Sequence, residues 1–289
     1  MLSIQKRVTE ELITFDSKAS PDSILEDDYF EARYRSITSL QDLVLERLDV
    51  LEKDPSSKPF CRVVDVPESV YDQLQEPGLT GGRLFYDRRT RQLIVKLTPK
   101  YHTAFHLSLT NKISDKLTAS GVSEYNIFPY GASSTEGHSA SREGDSGLKP
   151  LPERAGGANC ATLMVECVYS QRLSSLRPAA KWWLTETGVN VVILINVNVV
   201  QQSVFLEVWR RVAIDGFAVD DENWRATSEP RAVSSTTISH GARGFAASGC
   251  LSLRFSDVMI REPPRPGQEI TLTEKELARW AWAIFRDMY

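Results

Sequence analysis

The spacing of apolar and polar residues predicts a chain that mixes helices with strands. From Ser23 to Leu51 apolar residues recur every three or four positions, which predicts one long helix or two shorter ones. The apolar stripe consists of Ile37, Leu40, Val44, Leu48 and Leu51. The polar segment from Asp54 to Pro59 breaks this pattern, and a short helix is predicted to start near Pro67.

The next part of the chain predicts a hairpin, a helix and a strand. Between Gly82 and Pro99, two alternating apolar segments flank the polar turn DRRTRQ, as in an antiparallel hairpin. A helix should follow, because four apolar residues share one face and Gly121 can end it. These residues are Phe105, Leu109, Ile113 and Leu117. A strand is predicted from Tyr125 to Tyr130.

The middle of the chain predicts a loop followed by strands around a helix. Gly131 to Asn159 is rich in Gly, Ser, Pro and charge, so we expect a loop with a short extended piece around GDSGLKP. Thr162 to Val168 reads as a strand, and Leu176 to Thr187 reads as a helix capped by Ser174 or Ser175. Further strands are predicted at Val189–Val197 and Ser203–Val212.

The C-terminal part is predicted to be irregular before it ends in a strand and a helix. Residues 219–248 are polar and predicted to be largely irregular, and CLSLRFSDVM reads as a final strand. The closing amphipathic helix has Thr273 as its N-cap and Glu276 at the capping-box position. The whole order predicts a single α/β or α+β domain without internal repeats.

Composition and charge limit the classes of partner. The 289 residues are 42% hydrophobic and 25% charged, which is typical of a globular protein with a sizeable core. The formal net charge of -4 repels polyanions, so any contact with nucleic acid requires a local basic patch.

The sequence also indicates the cellular setting. The N-terminal residues mix both charge signs and lack the apolar core of a signal peptide. The longest largely apolar run, Val189 to Val200, is about half of the roughly 20 residues that a membrane helix needs. The four cysteines are scattered and favour reduced thiols. We expect an intracellular protein, in the cytoplasm or nucleus, that does not contact a membrane.

One acid interrupts the apolar strand TLMVECV. Alternation places Glu166 on the same face as Met164 and Val168, and both faces of this strand are largely apolar. An ionised carboxylate in a strand buried on both sides needs a cationic partner, a metal ion or a shifted pKa. A plain ion pair with Lys181 or Arg177 is one outcome, and a functional site is the other.

The positions of Asp145 and Lys181 favour a functional site. Asp145 precedes Glu166 by about twenty residues, and Lys181 follows it by about fifteen on the next helix. Two carboxylates and a lysine at one end of a sheet can hold Mg²⁺ or Mn²⁺ through hard oxygen ligands. Such a cation activates water, and the ammonium stabilises the charge of a phosphoryl transition state.

Five segments taken in order resemble the fungal branch of the PD-(D/E)XK nuclease-like superfamily. They are the D...L...P pattern that begins at Asp145, followed by TLMVECVYSQ, LRPAAKWWLT, GVNVVILINV and VFLEVWRR. The resemblance covers roughly Leu84 to Arg211 and implies a restriction-endonuclease-like fold, in which helices flank a mixed central sheet. Together with the helical pattern before it, this predicts an N-terminal helical extension in residues 1–80 and a nuclease-like domain in residues 81–289, which form one compact unit.

The resemblance also implies roles for individual residues. In that superfamily an aspartate begins one strand, a glutamate lies in the next, and a lysine follows two residues later or comes from the adjoining helix. Asp145 matches the first acid, Glu166 the second and Lys181 the relocated lysine. The usual lysine position falls at Val168, and Gly144 replaces the proline that usually precedes the first acid.

Further residues are candidates around these three. Glu143 shares the face of Asp145 and is an alternative metal ligand. His102 and His106 have a spacing that permits joint metal binding, although such a pair more often marks a helix edge, which is the interpretation we prefer. The resemblance also implies that four residues support the direct ligands without binding the metal themselves. They are His106, Tyr169, Ser170 and Gln171.

A basic run follows the acidic strand. Arg172, Arg177 and Lys181 occur with no acid between Tyr169 and Thr185. With Lys149 as an addition, they can bind a phosphate backbone of DNA or RNA, and a solvated helix face is the alternative. The C-terminal helix is either domain core or a homodimer surface, through Trp280, Trp282 and Phe285.

Three functions are compatible with these residues. The first is metal-dependent phosphodiester hydrolysis by Asp145, Glu166 and Lys181. The second is an inactive nuclease-like domain that binds nucleic acid or protein, and Val168 and the acidic net charge favour it. The third is acid-base chemistry on a small molecule in a repurposed pocket.

Overall fold

The fold is taken from a computed structural model, which describes residues 29–76, 81–131, 134–156, 160–169, 176–214 and 227–288. Within these ranges the chain is a mixed α/β protein with three sheets. The helices are α1 (Ile37–Lys53), α2 (Glu68–Leu74), α3 (His102–Ala119), α4 (Arg177–Glu186), α5 (Phe255–Met259) and α6 (Glu274–Met288).

Sheet A has six strands and is formed by the first half of the chain. Its strands are β1 (Tyr29–Arg33), β2 (Phe60–Val64), β3 (Gly82–Asp87), β4 (Gln92–Leu97), β6 (Ser134–Glu136) and β7 (Ala140–Glu143). Their order is β1-β2-β4-β3-β7-β6, and only the β1–β2 pair among them is parallel.

Sheet B has seven strands and contains the acidic strand. Its strands are β5 (Ile127–Tyr130), β8 (Ser146–Pro150), β9 (Leu163–Tyr169), β10 (Val191–Asn198), β11 (Ser203–Ala213), β12 (Ser228–Gly241) and β13 (Gly244–Ala247). Their order is β13-β12-β11-β10-β9-β8-β5, with β9 and β10 parallel and the other pairs antiparallel. Two further strands, β14 (Leu251–Arg254) and β15 (Glu269–Leu272), form a small antiparallel pair.

Three apolar clusters hold these elements together. The first joins one face of β9 and β10 to α3 and α6. The second joins the opposite face of β9 to α4 and to the inner face of sheet A. The third packs α1 and α2 on the outer face of sheet A. The two large sheets are therefore linked through the middle cluster.

Several predicted elements are confirmed, and the residues that predicted them have the expected positions. The hairpin is β3 and β4, which pair from Gly82–Leu97 to Asp87–Gln92 around a polar turn. Helix α3 buries the predicted apolar stripe, and Gly121 follows it with φ of 97°. The capping box also forms, since the Glu276 carboxylate accepts from the Thr273 N–H at 2.8 Å.

Three predictions of secondary structure are wrong. Tyr29–Arg33 is a strand rather than part of a helix, and α1 begins at Ile37 with Ser36 as its N-cap. The predicted loop from Gly131 contains β6, β7 and β8, because buried polar residues such as Ser141 find partners inside the fold. The predicted irregular segment contains β12 and β13, whose polar residues face solvent on an exposed strand.

The last predicted strand is partly right, because CLSLRFSDVM contains β14 and then turns into α5. The cap predicted at Ser174 or Ser175 lies outside the described residues. Pro178 lies in the first turn of α4, where its missing N–H costs little.

Residues 29–76 form strands as well as helices. They contribute β1 and β2 to sheet A, and β2 pairs directly with β4. At the other end of the chain, Trp280 and Phe285 are buried in the protein's own core, while Trp282 is 48% exposed. A homodimer stays a prediction. No helix in the described part of the chain is both long enough and apolar enough to span a bilayer.

Candidate acidic site between the two sheets

Glu166 lies in the middle of β9, which is buried along its whole length between β8 and β10. Met164 and Val168 pack in the middle cluster, whereas Val165 and Cys167 pack against α3. The predicted alternation of β9 is therefore confirmed. Glu166 itself is fully buried and is directed toward α4 and sheet A, where its partners lie.

Asp145 directly precedes β8 and reaches across to β9. Ser146 pairs with Val165 in the register of these strands. The Asp145 carboxylate accepts a hydrogen bond from the Cys167 N–H at 2.7 Å, one residue beyond Glu166. The local strand pairing thus brings the two predicted acids to the same part of sheet B.

Lys96 joins the two acids. It lies on β4 of sheet A, 3% exposed, and its ammonium donates to Asp145 Oδ2 at 2.7 Å and to Glu166 Oε2. Ile94, two residues earlier on the same strand, packs in the middle cluster, so the alternation of β4 directs Lys96 to the same side.

Other donors complete the surroundings of Glu166. The Arg142 guanidinium donates to Glu166 Oε1 at 3.1 Å, and the Trp183 indole N–H donates to the same oxygen at 2.7 Å. Because Lys96 binds the other oxygen, both carboxylate oxygens of Glu166 already accept hydrogen bonds from buried groups.

These contacts keep both acids ionised and the lysine protonated. Burial would raise the pKa of Asp145, but His102 and Lys96 hold that pKa well below its usual value. Burial also opposes ionisation of Glu166, yet Lys96 and Arg142 keep its pKa below the usual value. Burial would lower the pKa of Lys96, but the two carboxylates outweigh it and raise that pKa. All three groups are therefore charged at neutral pH.

Glu143 lies at the edge of this cluster. Its carboxylate accepts from the Leu84 N–H at 3.1 Å, and burial raises its pKa. A small cavity of about 10 Å³ is lined by both Glu143 and Lys96. The cavity is also lined by Arg83 and Arg142, and a space of this size holds about one water molecule.

The histidine pair lies on the other side of Asp145. His102 and His106 are only 1% and 2% exposed, so the prediction that they mark a helix edge is wrong. His102 Nε2 lies 3.0 Å from the Cys167 carbonyl oxygen and 3.3 Å from Asp145 Oδ2. Burial lowers the pKa of His106 to about 4, which keeps that imidazole neutral.

This side of Asp145 brings together three residues that can bind a metal ion. One ligand atom from each of His102, His106 and Asp145 lies within 4.8 Å of those of the other two. Elsewhere in the described residues no other three acids, histidines or cysteines come so close, and Glu166 and Glu143 do not join this group. The residues that could hold a divalent cation are therefore Asp145 and the two histidines, because only their ligand atoms lie this close together in the described residues.

The predicted lysine is not at the site. Lys181 lies on α4 with an exposed side chain, while its neighbour Trp183 is the α4 residue that contacts Glu166. The basic residues are also engaged elsewhere. Arg177 makes two hydrogen bonds to Glu207, at 2.7 and 3.2 Å, and Lys149 donates to the Gly156 carbonyl at 2.6 Å.

The remaining predicted residues lie on the far side of β9 or outside the described chain. Tyr169 is 5% exposed and packs edge-to-face on Phe105, and burial raises the pKa of its hydroxyl. Ser170, Gln171 and Arg172 lie outside the described residues.

The sequence contained a signal for the lysine that was missed. Lys96 interrupts the apolar run LIVKL of β4 just as Glu166 interrupts the run of β9. A lone cation and a lone anion in two buried strands are natural partners, because each offsets the desolvation cost of the other. Arg142 had no such signal, since its surroundings read as a polar loop.

Comparison with known proteins adds little to this picture. No family model matches the chain, and no curated protein matches it. Among solved structures, it is similar to a "putative nuclease belonging to DUF820" from Anabaena variabilis. That similarity has 11% identity and a TM-score of 0.39, and it covers 68% of this chain and 90% of the other. A likeness at this level carries no argument about function.

Proposed function

We propose that this protein is a metal-dependent phosphodiester hydrolase of the PD-(D/E)XK nuclease-like type, with Lys96 in the role predicted for Lys181. The observation that carries the proposal is the ammonium of Lys96, which donates to both Asp145 and Glu166. Strand order supports it, because Asp145 precedes β8 and Glu166 lies in the adjacent β9. Helices α3 and α4 pack on opposite faces of β9, as a flanked mixed sheet requires.

Each residue has a distinct task in this proposal. Asp145 holds the cation through Oδ1, which makes no hydrogen bond among the described residues and lies 3.5 Å from Arg83 Nε. Glu166 positions Lys96 and Arg142, and these cations stabilise the negative charge of the phosphoryl transition state. When bound at Asp145, a divalent cation supplies Lewis acidity and a more acidic water.

The charge states argue against acid-base chemistry by Asp145, Glu166 or Lys96 on a small molecule. A general acid or base works best with a pKa near the working pH. The pKa of Lys96 is raised while those of Asp145 and Glu166 are lowered, so none of them is brought toward neutrality.

The burial of the charged cluster favours a second candidate function, that of a non-catalytic binding domain. Asp145, Glu166 and Lys96 are each at most 3% exposed, and the adjoining cavity has room for about one water. A hydrolase must therefore open near Arg83 and Glu143 to admit a phosphate. If that opening does not occur, the charged cluster is a structural ion network, and the protein is a non-catalytic binding domain.

Cleavage assays separate the two functions. The full chain would be incubated with supercoiled plasmid, single-stranded RNA and bis-p-nitrophenyl phosphate, with Mg²⁺, Mn²⁺ or Zn²⁺ or with EDTA. We expect metal-dependent cleavage that Asp145→Asn and Glu166→Gln abolish and that the exposed-site control Lys181→Met retains. Circular dichroism and thermal unfolding would establish that each variant is folded. If the wild-type protein cleaves none of these substrates with any of the metals, the hydrolase is refuted and the non-catalytic binding domain is the function that remains.

A further inference from the structure

His102 and His106 present two imidazoles to the carboxylate of Asp145. They lie one helical turn apart on α3 and so share a face. Their ring centroids are 5.0 Å apart, and their ligand atoms and that of Asp145 fall within a common distance of 4.8 Å. All three residues are at least nine-tenths buried.

Several polar atoms of this group lack partners. Among the described residues, no hydrogen bond is made by His102 Nδ1 or by either ring nitrogen of His106, whereas Asp145 Oδ1 lies 3.5 Å from Arg83 Nε. A buried polar atom left unsatisfied costs about 1–3 kcal/mol. Three such nitrogens in one cluster indicate a shared partner that accepts lone pairs, because one nitrogen of each neutral ring is an acceptor.

The hydrogen bond of His102 assigns its tautomer. A carbonyl oxygen only accepts, so His102 Nε2 carries the proton in its 3.0 Å contact with the Cys167 carbonyl. Whenever this ring is neutral, its lone pair is therefore on Nδ1. A backbone carbonyl that fixes the second nitrogen in this way is the usual support of a metal-binding histidine.

We infer that His102, His106 and Asp145 form a binding site for a first-row transition metal ion, such as Zn²⁺, Co²⁺ or Mn²⁺, in preference to Mg²⁺. Imidazole nitrogen suits these ions, whereas Mg²⁺ requires a shell of oxygen ligands. Three protein ligands leave a coordination position open, as in catalytic sites. The catalytic use of this ion rests on the proposed function, but the site itself rests on the contacts named above.

Metal titration of the full chain tests the site without any assay of activity. Metal-stripped protein would be titrated with Zn²⁺, Co²⁺, Mn²⁺ and Mg²⁺ by calorimetry, and Co²⁺ binding would be followed by its visible absorption. We expect one transition ion per chain, bound at least about tenfold more tightly than Mg²⁺. His102→Asn and His106→Asn should each weaken binding by about 10-fold to 100-fold. His138→Asn is the matched control, because this histidine is 78% exposed.

A spectroscopic measurement keeps the test valid if a histidine variant fails to fold. X-ray absorption of the Zn²⁺-loaded wild-type protein should show scattering from two imidazoles. The inference would be overturned if the spectrum showed fewer than two imidazole ligands, or if the wild-type protein bound none of the transition ions. If the metal binds through both histidines but none of the substrates is cleaved, the metal site is retained and the proposed hydrolase activity is refuted. Cleavage with Mg²⁺ by a protein that binds none of the transition ions would retain the hydrolase and refute the site.

Discussion

Single charged residues decide the chemistry of this interior. Lys96 crosses from sheet A to contact two carboxylates of sheet B, and Arg142 adds a second cation to Glu166. Each of these charges would be costly alone, because removal from water is repaid only by close partners. The position of Lys96, rather than that of Lys181, therefore determines whether the acids remain ionised inside the protein.

Substitution of the two lysines tests this assignment. Lys96→Met leaves two buried carboxylates with less compensation, so the free energy of unfolding should fall by about 3–5 kcal/mol. Lys181→Met removes an exposed charge and should change it by less than about 0.5 kcal/mol. Urea unfolding at pH 7 measures both. Equal effects of the two substitutions would contradict the role of Lys96.

At the scale of elements, β8 and β9 approach so closely that glycine is needed between them. A Cβ added at Gly147 would overlap the Leu163 carbonyl oxygen and lie 2.8 Å from Met164 Sδ. A Cβ at Gly144 would overlap the terminal methyl of Met164 and lie 3.2 Å from the Trp183 ring. Gly144 thus replaces the proline of the resembling family at a position where a flexible side chain fills the space.

The two glycines should differ in their tolerance of alanine. Gly147→Ala must displace backbone of the strand that carries Glu166, and we expect a loss of about 1–3 kcal/mol. Gly144→Ala displaces the end of a methionine, so its cost should be smaller, under about 1 kcal/mol. Thermal and urea unfolding compare them. A larger loss for Gly144→Ala would show that Met164 cannot move.

The capping box of α6 should make stability depend on pH. The side chain of Lys116 and the backbone N–H of Thr273 lower the pKa of Glu276 from 4.5 to about 2. A carboxyl with a lowered pKa in the folded state stabilises the protein above its usual pKa and loses this effect as pH falls. The difference in unfolding free energy between wild type and Glu276→Gln should therefore shrink between pH 4.5 and pH 2.

Urea unfolding at a series of pH values measures this difference. Lys116→Met should reduce the same pH dependence, since Lys116 is 2.6 Å from the Glu276 carboxylate. A difference that stays constant from pH 6 to pH 2 would show that Glu276 titrates normally in the folded protein.

At the scale of the molecule, sheet A and sheet B form one functional unit. Residues 29–76 supply two strands to sheet A and cover its outer face with α1 and α2. Sheet A in turn supplies Lys96 to the acids of sheet B. The N-terminal segment therefore pairs with and packs on the sheet that carries Lys96.

Truncation tests this dependence. A chain that starts at Gly81 would expose the outer face of sheet A, which buries Leu84, Tyr86, Leu93, Val95 and Leu97. At about 2 kcal/mol for each side chain, the loss is on the order of 10 kcal/mol, comparable to the whole stability of a typical domain. We expect no cooperative thermal unfolding and aggregation. A chain that starts at Tyr29 contains every described element and is the control.

The opposite result would be equally informative. Cooperative unfolding of the chain that starts at Gly81, with the far-ultraviolet spectrum of a folded protein, would support the boundary at residue 80 that the sequence predicts.

The sequence by itself determined those features that depend on neighbours along the chain. Periodicity predicted α3, α4 and α6, the β3–β4 hairpin and the buried strand β9, because side-chain direction repeats with the local backbone. It also predicted that Glu166 lies inside the protein and needs partners.

Only the tertiary structure decided which partners these are. Lys96 lies 70 residues before Glu166 in the chain, and Arg142 lies 24 before it. Their contacts depend on how two sheets pack, which local patterns do not encode. The polar strands β7 and β12 escaped prediction for the same reason, since polar residues can line a buried site or face solvent from a sheet. The burial of His102 and His106 likewise required the packing of α3 on β9.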